Sequence, residues 1–418
     1  DVLAPSFLNM QQLVATSDGS SLVTIYLGGG HYVYGASIYL GSIYIYEKPP
    51  DCTPVEMHRP GKGYRRNLRK NPTGPKGKKE GKMGLKKKMT KKKKKNAKKK
   101  KIAKKKKKKR CVPSRHGAIL VDAPPSAGPD FGKLVHDFLD EHNADLEIMI
   151  VSHEHFDHVG NGLSVMEYNP MLTEVITTAD VAETLHSWTT QTFSNPRLSE
   201  IMAPGPQFPF YEFTYVFEGT EILEIGNQTL ELRGTDGHTS GNLLIWHEGS
   251  KTITSIDSPV FPKWSPFTGF ALASDVSRLF NLFESFREYD YDYFIGGHVT
   301  HIGTPEDVAV SEEYAVDIAD AAYRAVFELS ADPTGPYGFF HWFLKVGENP
   351  QNNGNIFLVI SQWIQQLELL CAEIVLDPQK NYSGKDWVKI LAGVRTTLIS
   401  HCSVTVNALR IDTPGLFA

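Results

Sequence analysis

The stretch VSHEHFDHVGN at residues 151–161 follows the apolar run LEIMI at 146–150, and its reading decides the fold. His153, His155, Asp157 and His158 put four potential metal ligands into six residues, in a loop opened by Ser152 at the end of an apolar strand. Two histidines one residue apart, beside an Asp-His pair, project several ligands from one short segment. Neutral imidazoles suit zinc, and a carboxylate completes a second site. A lone histidine on an apolar face is ordinarily a satisfied core residue. Four ligand types clustered at the C-terminal end of a strand have no such bland account.

Three later positions share that setting. GTDGHTSGN (234–242) places His238 in a Gly-rich turn after TLELR, TITSID ends at Asp257, and YFIGGH ends at His298. Each is a weak signal alone. Together they put ligand types at successive strand ends, where α/β folds build their sites. The same alternation runs through the middle of the chain. Helices are expected over 130–142, 180–188 and 274–288, between strands at 42–48, 117–123, 146–152, 251–257 and 291–297. From about Val308 long amphipathic helices take over, at roughly 311–329, 355–376 and 385–409. The run Leu22–Tyr46 has no charged residue, but its Gly28-Gly29-Gly30 and its tyrosines mark consecutive strands, so no membrane span is expected there.

The order, spacing and strand context of these residues resemble the metallo-β-lactamase superfamily, whose signature is HxHxDH followed by separated His, Asp and His. The resemblance covers roughly residues 25–305 without the lysine-rich insert, and GAILVDAPPSAG (117–128) resembles its early Asp-bearing strand. It implies an α/β fold, a four-layer αββα sandwich with a helical C-terminal extension. The implied division is 1–307 for the catalytic domain, with a Lys-rich insertion at 50–112, and 308–418 for the helical part. It also implies two zinc ions, with iron or manganese as alternatives. His153, His155 and His238 would hold the first, Asp157, His158 and His298 the second, and Asp257 would bridge them. The expected activity is that of a zinc hydrolase using a metal-bridging hydroxide, with Asp157 orienting it or shuttling a proton.

Departures from relatives narrow the chemistry. True β-lactamases of this superfamily usually lack a carboxylate at the Asp257 position, and redox diiron relatives carry Glu where His155 stands. Persulfide-oxidising relatives use fewer ligands. Quorum-signal lactonases share the ligand set but commonly place a Tyr soon after the bridging Asp, where this chain has Ser258-Pro259. The leading expectation is therefore hydrolysis of an ester, lactone or related acyl bond of a small molecule. Phe261, Lys263, Trp264 and Phe267, shortly after Asp257, are candidates to line the substrate pocket. His301 is read as a surface residue, and His136, His142, His341 and His401 as structural.

Charge is strongly segregated. Residues 59–110 carry 29 Lys/Arg and one acid, Glu80, leaving 16 basic and 46 acidic residues elsewhere, although the whole chain is only −2. No aromatic residue interrupts the tract from Arg66 to Arg110, so base stacking is not indicated, and the tract reads as a non-specific polyanion binder through 61–110. That leaves two alternative readings: a phosphodiesterase or nuclease of the same fold, and a non-catalytic protein attached to acidic surfaces. Four cysteines allow three connectivities, among them Cys52 with Cys111 and Cys371 with Cys402. Sequons at Asn227 and Asn381, with a start at Asp1, fit a processed, extracellular protein. The Trp363, Leu367 and Leu370 stripe is read as core or as an oligomer surface.

Overall fold

The structure is a computed structural model, and it describes residues 22–36, 39–50, 114–190, 194–202, 212–298, 301–348 and 355–412. Residues 49–114 form a unit of their own. The lysine tract, Cys52 and Cys111 lie outside the described residues. Everything below concerns the other unit.

Two sheets form its centre. The first holds β1 (Val23–Gly28), β2 (His31–Ala36), β3 (Tyr39–Tyr46), β4 (His116–Val121), β5 (Ala144–Ile150), β6 (Glu174–Thr178) and β7 (Tyr215–Phe217), in that spatial order. Strands β1 to β4 pair antiparallel, and β4 to β7 pair parallel. The second sheet runs β12 (Tyr293–Ile295), β11 (Thr252–Ser255), β10 (Asn242–His247), β9 (Gln228–Thr235) and β8 (Thr220–Ile225). The run Leu22–Tyr46 thus forms three strands, and β3 pairs with β4 from Ser42 opposite Val121 to Tyr46 opposite Gly117.

Alternation along the strands builds the layers. Ile119, Val121, Ile148 and Ile150 face Leu230, Leu232, Leu243 and Ile245 between the sheets. Their neighbours Ala118, Leu120, Met149 and Val151 face outward, onto Phe131, Val135 and Leu139 of helix α1 (Phe131–Glu141) and Val181 and Leu185 of α2 (Ala179–Thr190). Strands buried on both faces need near-continuous apolar runs, and HGAILV supplies one. On the far side Leu244, Ile253 and Phe294 leave the second sheet to pack on α3 (Val276–Phe286), α4 (Pro305–Tyr323), α6 (Ile356–Leu376) and α7 (Val394–Asp412), α5 being Phe339–Gly347. The result is the four-layer αββα sandwich, with its helical extension sharing the core of the second sheet. Truncating Phe294, fully buried on the strand that leads to His298, would cost about 3–5 kcal/mol.

The C-terminal helices differ from the sequence expectation in two ways. The expected helix at 385–409 is broken into Trp387–Ile390 and α7. Between them Ala392 is drawn out to accept from Ser265 N at 2.9 Å and to donate to Lys263 O at 3.0 Å, with Gly393 at φ +90° completing the turn. Helix α5 lies where no helix is expected from the sequence. Cys371 and Cys402 form a disulfide joining α6 to α7. The Asn381 sequon is an unfavourable acceptor, because its buried amide donates to Val375 O and Lys385 O at 2.9 and 2.8 Å.

Candidate metal centre

All seven sequence-predicted ligands come together at one end of the sandwich. His153 and His155 occupy the loop after β5, and Asp157 and His158 the single helical turn Phe156–Val159 that follows. His238 sits between β9 and β10, Asp257 just after β11 and His298 just after β12. The local backbone is shaped for this convergence. Ala123 N donates to His158 O and Asn161 N to Ala123 O at 2.7 and 2.8 Å, closing the VSHEHFDHVGN loop onto β4's end. Ser274 N and Asp275 N, at the start of α3, bind His238 O and Gly237 O at 2.9 and 2.8 Å. Gly237 has no alternative: its φ is +127°, and a Cβ there would lie 2.5 Å from the Leu279 backbone.

The ligand atoms form two groups. His238 Nε2 lies 3.1 Å from His153 Nε2 and 3.0 Å from His155 Nδ1. Asp157 Oδ2 lies 3.1 Å from His298 Nε2 and 3.6 Å from His158 Nε2. Asp257 Oδ2 stands between the groups, 3.7 Å from His153 Nε2, 3.3 Å from His238 Nε2, 3.4 Å from His158 Nε2 and 3.3 Å from His298 Nε2. Tetrahedral zinc with Zn–N bonds of about 2.0–2.1 Å sets its nitrogens about 3.3 Å apart, close to the spacing of the first group. His158 Nε2, His298 Nε2 and Asp257 Oδ1 are buried without a hydrogen bond of good geometry among the described residues. Buried polar atoms left so, beside a cluster of ligand-type side chains, are what a cation site requires. The donor set of five imidazoles and two carboxylates fits two divalent ions of the zinc type.

Electrostatics divides the site. Burial pushes His153 and His155 below the usual histidine value and His238 down to about 4, so these rings are neutral and ready to ligate. Burial also opposes charge on His158 and His298, but the Asp257 carboxylate, helped by Asp122 at His158 and by Asp157 at His298, outweighs it. Those rings rise to about 10 and about 9. For Asp257 burial works against ionisation, and the flanking His158 and His298 overcome it, holding the carboxyl well below its ordinary range. Protons must leave His158 and His298 before those rings can bind metal.

Outside the ligands stands Asp122, fully buried at φ +62°. It accepts from Ser152 N and Ser152 Oγ at 2.7 Å each and from Tyr39 OH, and lies 3.1 Å from His158 Nδ1. This fixes the His158 ring with Nε2 toward the ligand group. Ser152 Oγ does the same for His153 Nδ1 at 3.0 Å. Partners of this kind set tautomer and orientation. Asp122 had a signal in the sequence, an acid after the apolar strand GAILV, but Tyr39 had none.

Two aromatic rings flank the ligands. Trp188 of α2 lies parallel to His155 at 6.3 Å, and Phe267 meets His298 edge-on at 5.8 Å. Of the four pocket candidates, only Phe267 is brought against the metal group. Phe261 is buried behind it at 6.0 Å, and Trp264 packs on Phe261 and Ala271. Lys263 pairs with Asp307 at 2.7 Å, at the N-terminus of α4, instead of turning toward the ligands. The helical extension holds Phe267 in place: His401 of α7 bonds Phe267 O at 3.1 Å, with its other ring nitrogen on Tyr314 OH at 3.1 Å.

Residues 114–298 match the family model described as the metallo-beta-lactamase superfamily. These residues are a metallo-beta-lactamase superfamily domain. No curated protein matches the chain. Among solved structures, a metallo-beta-lactamase from Pontibacter korlensis is similar over 70% of this chain and 97% of its own, with 11% identity and a TM-score of 0.41. A beta-lactamase domain protein from Burkholderia ambifaria gives 12% identity over 74% and 80%, TM-score 0.42. The B3 metallo-beta-lactamase BLEG-1 gives 16% over 46% and 85%, TM-score 0.36.

Proposed function

We propose that this superfamily domain is a dinuclear metal-dependent hydrolase of an ester, lactone or related acyl bond in a small molecule. The observation that carries the reading is Asp257 Oδ2, within 3.3–3.7 Å of four imidazole nitrogens drawn from both ligand groups. Two divalent ions held there would supply Lewis-acid activation of water and of the substrate's acyl oxygen. The chain's own residues do the rest. Asp122 and Ser152 orient His158 and His153. Asp157 is the half-exposed carboxylate of the site, its acid strengthened chiefly by the His298 and His158 rings against the cost of burial. It is thus ionised at neutral pH, which suits it to orient an attacking water or to take its proton. Trp188 and Phe267 offer apolar surface on either side, and among the described residues none of the ion pairs of Asp157 or Asp257 involves a Lys or Arg. That surroundings favours an uncharged acyl group over a phosphate.

The test is a panel of lactones, aryl esters, β-lactams and bis(p-nitrophenyl) phosphate, run with and without added zinc beside metal analysis of the purified protein. Two bound ions and turnover of an ester or lactone are expected. Turnover of the phosphodiester alone would transfer the site to the nuclease reading. No bound metal and no turnover would end the hydrolase reading.

A further inference from the structure

The loop after Asp257 carries a turn of left-handed helix. Gly269, Phe270, Ala271 and Leu272 stand at φ +63°, +53°, +62° and +59°. Ala271 N and Ala273 N bond Phe267 O and Gly269 O at 3.1 Å each. Only the first of the four is a glycine, and each of the others brings its Cβ close to the following carbonyl oxygen. Strain of this kind persists where the surroundings impose it, and it gathers at functional sites. Here the surroundings are α7. Thr397 Oγ1 meets Ser265 Oγ at 2.9 Å, Ser400 Oγ accepts from Gly269 N at 2.9 Å, and His401 Nε2 meets Phe267 O at 3.1 Å. A carbonyl only accepts, so Nε2 carries the proton, and burial keeps the ring neutral, leaving Nδ1 to accept from Tyr314 OH. Phe270, fully buried, stacks on the same imidazole at 4.3 Å.

We propose that the helical extension completes the metal site: Phe267 is a specificity-determining residue that receives the apolar part of the substrate, and His401 is the positioning residue that holds it there. The inference rests on the acyl-hydrolase reading above. It adds the class of acyl group, one with a chain or ring large enough to reach Phe267. A loop that served only to close the core would bury its aromatic rings, as Phe261 and Phe270 are buried. Phe267 instead stays 37% exposed, edge-on to the His298 ring and braced by Phe261, while the strained backbone beside it is tied to α7 at three points.

The experiment compares short with long acyl substrates, p-nitrophenyl acetate with the hexanoate and γ-butyrolactone with γ-decalactone. It uses the zinc-loaded full chain and the variants Phe267→Ala, His401→Leu and His401→Gln. In whichever series turns over, kcat/KM for the long member relative to the short one should fall at least about tenfold in Phe267→Ala and His401→Leu, chiefly through KM. His401→Gln, which keeps an N–H for Phe267 O, should restore the preference. Without any substrate, hydrogen exchange in peptides covering 267–273 should quicken at least about tenfold in His401→Leu, with cooperative unfolding retained. Ser400→Ala, which removes the bond to Gly269 N alone, takes its place if it fails to fold. A chain-length preference that survives Phe267→Ala would overturn the proposal. So would loss of zinc from His401→Leu, which would make α7 a support of the ligands themselves. Unchanged exchange would overturn the hold of α7, and this result does not depend on turnover. Turnover of neither series by the intact protein would instead overturn the hydrolase reading, and Phe267's part in specificity with it.

Discussion

Two buried histidine clusters occupy opposite ends of the same sandwich. At the far end of β10 from the metal centre, about 17 Å of strand away, His31 and His247 share Ser250 Oγ through their Nδ1 atoms at 2.8 and 2.7 Å. His31 Nε2 meets Ser42 Oγ at 3.0 Å, and His247 Nε2 meets Gln228 Oε1 at 2.5 Å. Every ring nitrogen there has a neutral hydroxyl or amide partner. At the metal end the nitrogens face one another and two carboxylates. Both clusters are buried, so burial does not separate a structural histidine from a ligand. The partners do: hydroxyls and an amide close the first cluster, while converging lone pairs leave the second in need of a cation.

The sharpest way to break the comparison is to remove the central carboxylate. Asp257→Ala should reduce hydrolysis by more than about 100-fold, beyond the range typical of an outer-shell partner, and lower the bound metal below two ions per chain. Metal analysis with rate measurement on the same sample checks both. The counterpart at the other end is His247→Gln, expected to leave metal content unchanged. Burial holds His247 down to about 4 and His31 also well below its usual value, the latter helped by its neighbour His247. Between pH 6.5 and about 4 the unfolded chain binds a proton at position 247 that the folded chain does not. Stability therefore falls as pH falls through that window, by about 3 kcal/mol for this residue. His247→Gln should flatten the fall, which urea unfolding at pH 7.5 and 5 would show.

A subtler intervention leaves every ligand in place. Asp122→Asn keeps the shape but weakens the acceptor that orients His158 and anchors Ser152. Metal affinity should drop about 10–100-fold, read by competition with a chelator, with the seven ligands unaltered.

The sequence made the metal end legible and the other end nearly invisible, for a physical reason. His153, His155, Asp157 and His158 advertise themselves because one loop carries four of the seven ligands, and strand periodicity located His238, Asp257 and His298 at strand ends. His31, Ser42, Gln228 and the pair His247 and Ser250 come from four separate segments, each unremarkable by itself, and only the packing of the two sheets joins them into one cluster. The layers themselves were readable from the buried runs of β4 and β5. The break at 391–393 was not, because helix propensity there yields to backbone pairing with Lys263 and Ser265, a contact more than a hundred residues distant in sequence. Tertiary demand overrode local preference.

That same loop yields the smallest expected effect. Lys263 stood among the candidates for the substrate pocket, since it follows Asp257 by six residues. In the structure its amine meets Asp307, whose carboxylate also accepts from Thr304 N at 3.0 Å in the capping box of α4. With Lys263 half exposed, such a pair contributes under about 1 kcal/mol, and Asp307 keeps its capping bonds when the amine is gone. Lys263→Met should therefore shift stability by less than that amount and leave the rate and KM on the best substrate within about twofold, as expected for a surface change away from any site. A KM that rose well beyond this, with stability and kcat unchanged, would mean that the amine leaves Asp307 to meet an anionic substrate. The metal end would then recruit charge from its rim as well as from its ligands.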